Sequence, residues 1–245
     1  MNEQFDIAVI GAGPGGYSTA LRASQLGLNV VLIERDATPG GTCLNRGCIP
    51  TKTLLDITAT FDAIRHTADA GINAHIDSID FNAVHGRRTQ VVSTMVHGLS
   101  ALLTQRGVTV FQAEASLDRS ASADPQWHTV RLAASPNTTG VLRRDAKNST
   151  PQGPELTIEA RHVVLATGSR PRPLPGTPFH NAIIDSTQAL AIDFPKSAVI
   201  IGAGAVAVEF ASIWNSAGCD VTLIIRKDRV LSALGPSRRR HAHTR

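Results

Sequence analysis

Residues 5–16 read FDIAVIGAGPGG, an apolar run that ends in a turn containing four glycines. Residues 5–10 predict a short β-strand, residues 17–26 have the apolar spacing of a helix, and residues 29–33 predict a second strand. Both strands are nearly continuous apolar runs, which is typical of parallel strands covered on both faces. The opening therefore predicts an α/β fold that begins with a parallel strand–helix–strand unit.

The glycines of this turn have the spacing of a dinucleotide-binding motif. Gly11 permits the tight turn, Gly13 allows the backbone to approach a pyrophosphate, and Gly16 allows the helix to pack closely on the strand. The N-terminus of the following helix supplies partial positive charge for phosphate groups. Glu34 ends the second strand, where a carboxylate can accept hydrogen bonds from ribose hydroxyl groups. Together these features predict a dinucleotide site.

The same pattern returns near the end of the chain. Residues 198–201 predict a strand, residues 202–204 a turn, residues 205–216 a helix and residues 220–225 a second strand. An internal repeat of this kind favours two nucleotide-binding modules over one.

The second turn contains Gly202 and Gly204, with Ala207 in place of the third glycine. The residue that corresponds to Glu34 is Ile225, which cannot accept a hydrogen bond from a ribose hydroxyl, and Arg226 follows it. An arginine at this position favours a 2′-phosphate and therefore NADP, whereas a solvated arginine at a strand end is the alternative. These residues leave both NAD and NADP open.

The region between the two modules suggests where the chain divides. Residues 51–70 and 84–105 predict helices, and the polar residues 135–154 predict a mobile loop within a β-meander excursion. A proline-rich connector at residues 170–178 marks the predicted boundary. The predicted organisation is a first domain at residues 1–170, a partial second module at 171–232, and an arginine-rich, unstructured tail at 233–245.

Two of the three cysteines, Cys43 and Cys48, stand five positions apart. In a regular helix their Cα atoms would lie roughly 8 to 9 Å apart, too far for a disulfide. Gly47 and Pro50 argue against a regular helix, so a disulfide becomes feasible, and its small ring favours a redox role over a stabilising one. Zinc is the rival, but Cys219 and the histidines show no matching ligand spacing, so no metal is predicted.

Composition excludes several other classes of protein. The chain has 245 residues, of which 42% are hydrophobic, and a net charge of +4. That charge equals the four arginines of residues 237–245, so it gives no indication of a nucleic-acid surface on the folded body. No secretory signal and no membrane-spanning run is visible, which favours a cytoplasmic protein.

Residues 40–52, GGTCLNRGCIPTK, resemble the active-site motif of the pyridine-nucleotide disulfide oxidoreductases. Residues 44–45 and 49–50 look most like the dihydrolipoamide dehydrogenase group of that family. The resemblance implies an FAD-binding Rossmann-like three-layer domain followed by an NAD(P)-binding module. It also implies that reduced nicotinamide passes hydride to the flavin, that Cys48 lies against the flavin, and that Cys43 exchanges with a dithiol or disulfide substrate, with a lipoyl group favoured.

The resemblance assigns further residues. Lys52 would lie near the reactive edge of the flavin and pair with Glu209 of the second module, although each could otherwise be a helix-surface residue. Residues 166–168, Ala-Thr-Gly, look like the second FAD-contacting motif. The remaining cofactor contacts that the resemblance implies are Pro14, Gly41, Thr42, Lys52, Ala115, Ala166, Thr167 and Gly168.

Members of this family are roughly twice as long as this chain and form homodimers through a further domain. That domain supplies a His-Glu base, and the histidines at positions 241 and 243 are not followed by a glutamate. We therefore expect a C-terminally truncated chain whose turnover of dihydrolipoamide, with NAD favoured and NADP nearly equal, falls below that of an intact enzyme. The alternatives are an NADPH-dependent reductase of the glutathione or mycothiol type and a non-catalytic flavin-binding remnant.

Overall fold

The computed structural model describes residues 3–118, 126–136, 138–144 and 149–231. These residues form two compact units. The first unit contains the described parts of 1–48 and 92–170, and the second contains those of 49–91 and 171–245. The units are therefore not contiguous in sequence, because residues 49–91 join the C-terminal part of the chain. The predicted tail at 233–245 lies outside the described residues.

The helices and strands follow the chain in a mixed α/β order. They are β1 (Glu3–Ile10), α1 (Pro14–Gln25), β2 (Val30–Glu34), α2 (Gly41–Arg46), α3 (Cys48–Arg65), a 3₁₀ helix (Thr67–Ala70), α4 (Phe81–Gln105), β3 (Thr109–Gln112), β4 (Glu114–Asp118), β5 (His128–Ala133), β6 (Val141–Arg144), β7 (Ser149–Gly153), β8 (Glu155–Leu165), α5 (Ser186–Ala189), β9 (Ser197–Ile201), α6 (Ala205–Ser216) and β10 (Asp220–Ile224).

The first unit is built on a sheet to which eight described strands contribute, in the order β4-β5-β8-β1-β2-β3-β6-β7. Strands β8, β1, β2 and β3 are parallel, and the outer strands are antiparallel. Residues 30–33 of β2 are all buried, because apolar side chains cover both faces of this parallel strand. This sheet confirms the predicted α/β class and its opening strand–helix–strand unit.

Helix α1 begins three residues before its predicted start. Pro14 is the first helical residue, a position where its missing N–H costs nothing and its fixed φ favours the helix. The apolar spacing that predicted a start at Tyr17 reports only which residues face the sheet. Ala20 and Ala23 are buried there, against Val9 and Leu32.

The polar stretch at 135–154, predicted as a mobile loop within a β-meander excursion, contains two strands, β6 and β7, which form an antiparallel pair. Strand β6 also pairs with β3, with Arg143 opposite Phe111. The Arg143 guanidinium lies 5.7 Å from the centre of the Phe111 ring, and Arg144 donates hydrogen bonds to the Gln112 side-chain oxygen. Composition hid this strand because Arg144 finds its hydrogen-bond acceptor on the neighbouring strand and Arg143, although exposed, lies over the ring of Phe111.

The second unit contains the two-stranded parallel sheet β9–β10 and the helices packed on it. Its core joins α3 and α6, with Leu54 buried in the same cluster as Phe210, Ile213 and Trp214. The strand–helix–strand order from 197 to 224 matches the predicted repeat within one residue at the ends of each element. Within the described ranges, no helix is long and apolar enough to cross a membrane.

Two side chains of α3 hold the C-terminal end of α6. Arg65 donates a hydrogen bond of 2.6 Å to the Ser216 carbonyl oxygen, and the Ser216 hydroxyl donates one of 2.5 Å to Asp62. A cation at the C-terminal end of a helix satisfies a carbonyl that has no partner within the helix and complements the helix dipole. These bonds explain why residues near 65 and 216, distant in sequence, belong to one unit.

We expect Arg65→Met to destabilise the chain by about 2 kcal/mol, because a charge-assisted hydrogen bond to a part-buried carbonyl is lost. The measurement is the free energy of unfolding in urea. The control is Arg87→Met, which changes an exposed arginine of α4 and should shift that free energy by less than about 0.5 kcal/mol. Equal effects of the two substitutions would contradict the role of Arg65.

Candidate functional site

The first glycine turn, residues 11–16, connects β1 to α1. Gly11 has φ +99°, and a Cβ there would lie 2.3 Å from the Ala166 carbonyl oxygen. A Cβ at Gly16 would lie 1.7 Å from the Gly11 carbonyl oxygen. Neither position has room for a side chain, so these glycines allow the turn to close on itself and on the end of β8.

The middle of this turn is open. A Cβ at Gly13 would meet only the Gly41 Cα, at 3.8 Å, and one at Gly15 would meet nothing within 4 Å. Gly13 is the N-cap residue of α1, and it provides no side chain to cap the helix. The N-terminus of α1 is therefore not covered by a capping side chain, which suits the pyrophosphate of a dinucleotide. The turn thus fits FAD at the predicted residues Gly11, Gly13, Pro14 and Gly16.

Glu34 lies at the edge of this turn, as the motif predicted. Its Oε2 accepts a hydrogen bond of 2.7 Å from the Ala12 N–H, and its Oε1 accepts one of 2.9 Å from the Asp36 N–H. Each carboxylate oxygen can accept a further hydrogen bond, so the group remains available to ribose hydroxyls. The carboxylate therefore also fixes the turn, a second role that sequence analysis did not find.

The predicted cysteine segment begins against the same turn. The Gly40 N–H donates a hydrogen bond of 2.8 Å to the Ala12 carbonyl oxygen. Gly41 has φ +57°, and a Cβ there would lie 2.6 Å from the Gly13 Cα. Helix α2, which carries Thr42 and Cys43, therefore starts directly at the first glycine turn.

Two polar side chains of the segment hold α2 in place. Arg46 Nη2 lies 2.7 Å from Asp36 Oδ2, and the Asn45 side-chain amide donates a hydrogen bond of 3.2 Å to the Pro39 carbonyl oxygen. The sequence motif assigns no role to these residues. The sequence signal for this ion pair is an acid, Asp36, ten positions before Arg46, with the glycine pair at 40–41 between them.

The chain breaks its helical path between the two cysteines. Helix α2 ends at Arg46, Gly47 has φ −147° and ψ −106°, and Cys48 is the first residue of α3. The predicted irregularity therefore lies at Gly47. Pro50 does not contribute to it, because Pro50 occupies the first turn of α3, where no intrahelical hydrogen bond needs its missing N–H.

The two cysteines differ in accessibility. Cys43 is half-buried on α2, and Cys48 is exposed at the start of α3. Both are thiols in the structure, so the Cys43–Cys48 disulfide remains a prediction. The third cysteine, Cys219, is buried beside α6, and burial together with the neighbouring Asp220 raises the pKa of its thiol. A raised pKa suppresses the reactive thiolate, so Cys219 is not suited to exchange.

The second predicted FAD motif, residues 166–168, follows β8 and meets the first glycine turn. The Ala166 N–H donates a hydrogen bond of 2.8 Å to the Ile10 carbonyl oxygen, and Gly168 has φ +76°. Thr167 is also close, since a Cβ at Gly11 would lie 3.3 Å from its Cα. Ala115 lies elsewhere, on β4 opposite Leu132, and its predicted cofactor contact remains a prediction.

In the second unit, Lys52 and Glu209 form an ion pair. Lys52 Nζ lies 2.5 Å from Glu209 Oε1, which joins α3 to α6. Lys52 is four residues after Cys48 on the same helix, and residues with this spacing share one helical face. The Lys52 side chain is 57% exposed, so the pair contributes little to stability.

The second glycine turn, residues 202–207, is built like the first. Gly202 has φ +147°, and Gly204 is the N-cap residue of α6 without a side-chain cap. A Cβ at Gly204 would meet nothing within 4 Å. A Cβ at Gly202 would lie 3.4 Å from the Ala207 Cβ, which shows that alanine fits in the third position. The turn therefore has an uncapped helix N-terminus like that of the first turn.

The family model of the pyridine nucleotide-disulphide oxidoreductases matches residues 5–245, and the chain belongs to this family. Two of its relatives are dihydrolipoyl dehydrogenases from Chlamydia pneumoniae, 37% identical over 95% of this chain, and Chlamydia muridarum, 38% identical over 96%. Leghemoglobin reductase from Glycine max is 33% identical over 91%. This chain covers 45%, 46% and 39% of these three relatives, so it spans about half their length or less.

A solved structure, that of LpdA from Mycobacterium tuberculosis, has the same fold. It matches with a TM-score of 0.75 and 24% identity, over 93% of this chain and 45% of that one. The family consists of flavoprotein oxidoreductases that act on sulfur groups, and FAD and NAD are its cofactors. The predicted family, enzyme class and cofactors are thereby confirmed at the level of the family.

Proposed function

We propose that this chain is the FAD-binding and cysteine-bearing part of a dihydrolipoyl dehydrogenase-like enzyme, which transfers electrons between a lipoyl dithiol and a nicotinamide dinucleotide. The observation that supports this most is the contact between the cysteine segment and the first glycine turn. Gly40 is hydrogen-bonded to Ala12, and Gly41 lies against Gly13. A dinucleotide bound at that turn would therefore extend beside the helix that carries Cys43.

The cysteines would perform the exchange with substrate. One thiolate of the dithiol attacks the Cys43 sulfur of a Cys43–Cys48 disulfide, and the Cys48 thiolate leaves. The second substrate thiolate attacks the resulting mixed disulfide, forms the substrate disulfide and releases Cys43. Two electrons then reside on the cysteine pair, and the two substrate protons pass to solvent. FAD, when bound, supplies the acceptor that returns this pair to the disulfide.

Lys52 would act as a positioning residue for the bound cofactor. Its ammonium group is held 2.5 Å from the Glu209 carboxylate. The resemblance of residues 40–52 to the active-site motif of the family supports this role, because the motif carries a lysine four positions after its second cysteine.

We also propose a lipoyl-bearing partner, a homodimeric whole protein and a cytoplasmic location. The names of the dihydrolipoyl dehydrogenase relatives support the lipoyl partner. The cysteine content supports the location: the chain has three cysteines, two of them a close pair, and disulfides of cytosolic proteins are usually transient and catalytic.

We expect mild oxidation of the FAD-loaded 245-residue chain to produce one disulfide, between Cys43 and Cys48. The measurement is peptide mass spectrometry after the remaining thiols are alkylated in denaturant, and alkylated Cys219 is the internal control. Dihydrolipoamide should then restore alkylation at both positions. Independent alkylation of Cys43 and Cys48 under oxidising conditions would contradict the exchange.

A further inference from the structure

The two glycine turns repeat each other in detail. The Gly11 N–H donates to the Ile33 carbonyl oxygen at 2.7 Å, and the Gly202 N–H donates to the Ile224 carbonyl oxygen at 3.0 Å. Both pairs have the same spacing along the chain. This hydrogen bond ties each turn to the end of its second strand, so the strand ends of the two modules can be compared residue by residue.

The equivalence extends through the loop that follows each second strand. The Ala12 carbonyl accepts from the Gly40 N–H at 2.8 Å, and the Ala203 carbonyl accepts from the Leu231 N–H at 2.7 Å. Each of these residues in the second module stands 191 positions after its counterpart in the first. Gly40 and Leu231 even share a positive φ, +114° and +50°. Ile225, Arg226 and Lys227 therefore occupy the positions of Glu34, Arg35 and Asp36.

The charges at these equivalent positions differ. In the first module the Glu34 carboxylate accepts from the Ala12 N–H at 2.7 Å, and Arg35 Nε lies 3.7 Å from the Asp36 carboxylate. In the second module Ile225 has no acceptor, and Arg226 is followed by Lys227 instead of an acid. A carboxylate at this position accepts from a ribose 2′-hydroxyl and repels a 2′-phosphate, and the second module has neither property.

The loop at residues 225–231 is cationic and is held next to the second glycine turn. Arg226, Lys227 and Arg229 are exposed, and Asp228 is paired with Arg229 at 3.5 Å. The loop is fixed at both ends, by the Ile224 and Leu231 hydrogen bonds to the turn. Three cations and one acid thus lie beside the position that a ribose takes in a module of this kind.

We propose that the second module binds the 2′-phosphorylated dinucleotide NADP(H) more tightly than NAD(H), with Arg226 and Lys227 contacting the 2′-phosphate. This inference rests on the proposed function, which places a nicotinamide dinucleotide at the second glycine turn. It departs from the use of NAD in the family. The planar guanidinium of Arg226 can bind two phosphate oxygens at once, and the Lys227 ammonium adds a second charge-assisted bond.

The test measures binding without enzyme activity. The full 245-residue chain is first saturated with FAD, so that the first module is occupied. Adenosine 2′,5′-bisphosphate and adenosine 5′-monophosphate are then titrated in a calorimeter. We expect the bisphosphate to bind about 10 to 100 times more tightly, the range that one or two charge-assisted hydrogen bonds supply. The preference should shrink as salt is added, because the cations are exposed.

Substitutions assign the preference to named residues. Arg226→Gln should lower bisphosphate affinity about 10-fold and leave monophosphate affinity unchanged. Ile225→Glu should abolish the preference by restoring the carboxylate. Arg87→Gln, which removes an exposed cation of α4 in the same unit, is the matched control and should change neither affinity.

Equal affinity for the two nucleotides, or tighter monophosphate binding, would overturn the inference and leave the proposed function intact. If the Arg226→Gln variant kept the same preference for the bisphosphate, Arg226 would not be a residue that contacts the 2′-phosphate. Binding of neither nucleotide would overturn the proposed nicotinamide site and the inference with it.

Discussion

Gly16→Ala is expected to lower the free energy of unfolding by about 3 kcal/mol or more. Its added Cβ would lie 1.7 Å from the Gly11 carbonyl oxygen, and that oxygen belongs to a turn held by Ile33 and Ala166. The obstacle is backbone rather than the end of a flexible side chain, so the turn must move for the methyl group to fit. The measurement is urea unfolding of the chain without FAD, which separates stability from cofactor binding.

Gly15→Ala is the matched control for this substitution. Gly15 precedes Gly16 in the same helix, and a Cβ there would meet nothing within 4 Å. Alanine is the better helix former by about 1 kcal/mol, so Gly15→Ala should be neutral or stabilising. If the Gly16→Ala protein is insoluble and the Gly15→Ala protein is soluble, that outcome would also show that alanine is tolerated at position 15 and not at position 16. Equal stability of the two variants would contradict the close packing of the turn.

The sequence predicted the parts of the fold that depend on local pattern. The glycine spacing, the apolar strands and the acid at Glu34 all come from one short segment, and each lies in the structure where the pattern indicated. The start of α1 was misplaced because apolar spacing reports the buried face of a helix. The N-terminal end of this helix is marked instead by Pro14, its first residue.

Long-range packing accounts for what the sequence did not predict. Residues 49–91 join the second unit because Leu54 of α3 packs in one cluster with Phe210 and Ile213 of α6. No local period encodes a contact between residues so far apart in the chain. Strand β6 was missed for a related reason, since its arginines find their partners on β3.

In the candidate site, too, some features could be predicted from the sequence, and others depend on contacts formed only in the folded chain. The family resemblance paired Lys52 with Glu209, and their side chains meet at 2.5 Å. It did not predict how the cysteine segment is held. The hydrogen bond from Gly40 to Ala12 and the ion pair of Arg46 with Asp36 depend on the folded turn.

We expect the stability of the chain to depend on pH through the ionisation of the buried Cys219 thiol. Burial, then the charge of Asp220, raises the pKa of Cys219 above its value in the unfolded chain. The folded state therefore binds the thiol proton more strongly, and its contribution to stability is lost as pH rises above the unfolded pKa of about 8.5. Compared with Cys219→Ala, the unaltered chain should lose stability as pH rises above about 8.5. Parallel urea midpoints above that pH would contradict this expectation.

The largest functional effect is expected from the two cysteines of the exchange. Anaerobic dihydrolipoamide should reduce the FAD of the loaded 245-residue chain, seen as loss of flavin absorbance. Cys43→Ser should lower that rate to the rate of FAD without protein, and Cys48→Ser should do the same. The physical reason is that each step of the exchange transfers a bond from one sulfur to another, so a single remaining thiol cannot accept two electrons.

The double substitution decides between this exchange and independent contributions of the two thiols. Groups that act as one unit are strongly non-additive, so Cys43→Ser with Cys48→Ser should be no slower than either single variant. Cys219→Ser is the control, because that residue is buried in the second unit and should retain the unaltered rate. Partial rates in the single variants that multiply in the double variant would mean that each thiol acts alone. The proposed disulfide would then not lie on the path from dithiol to flavin.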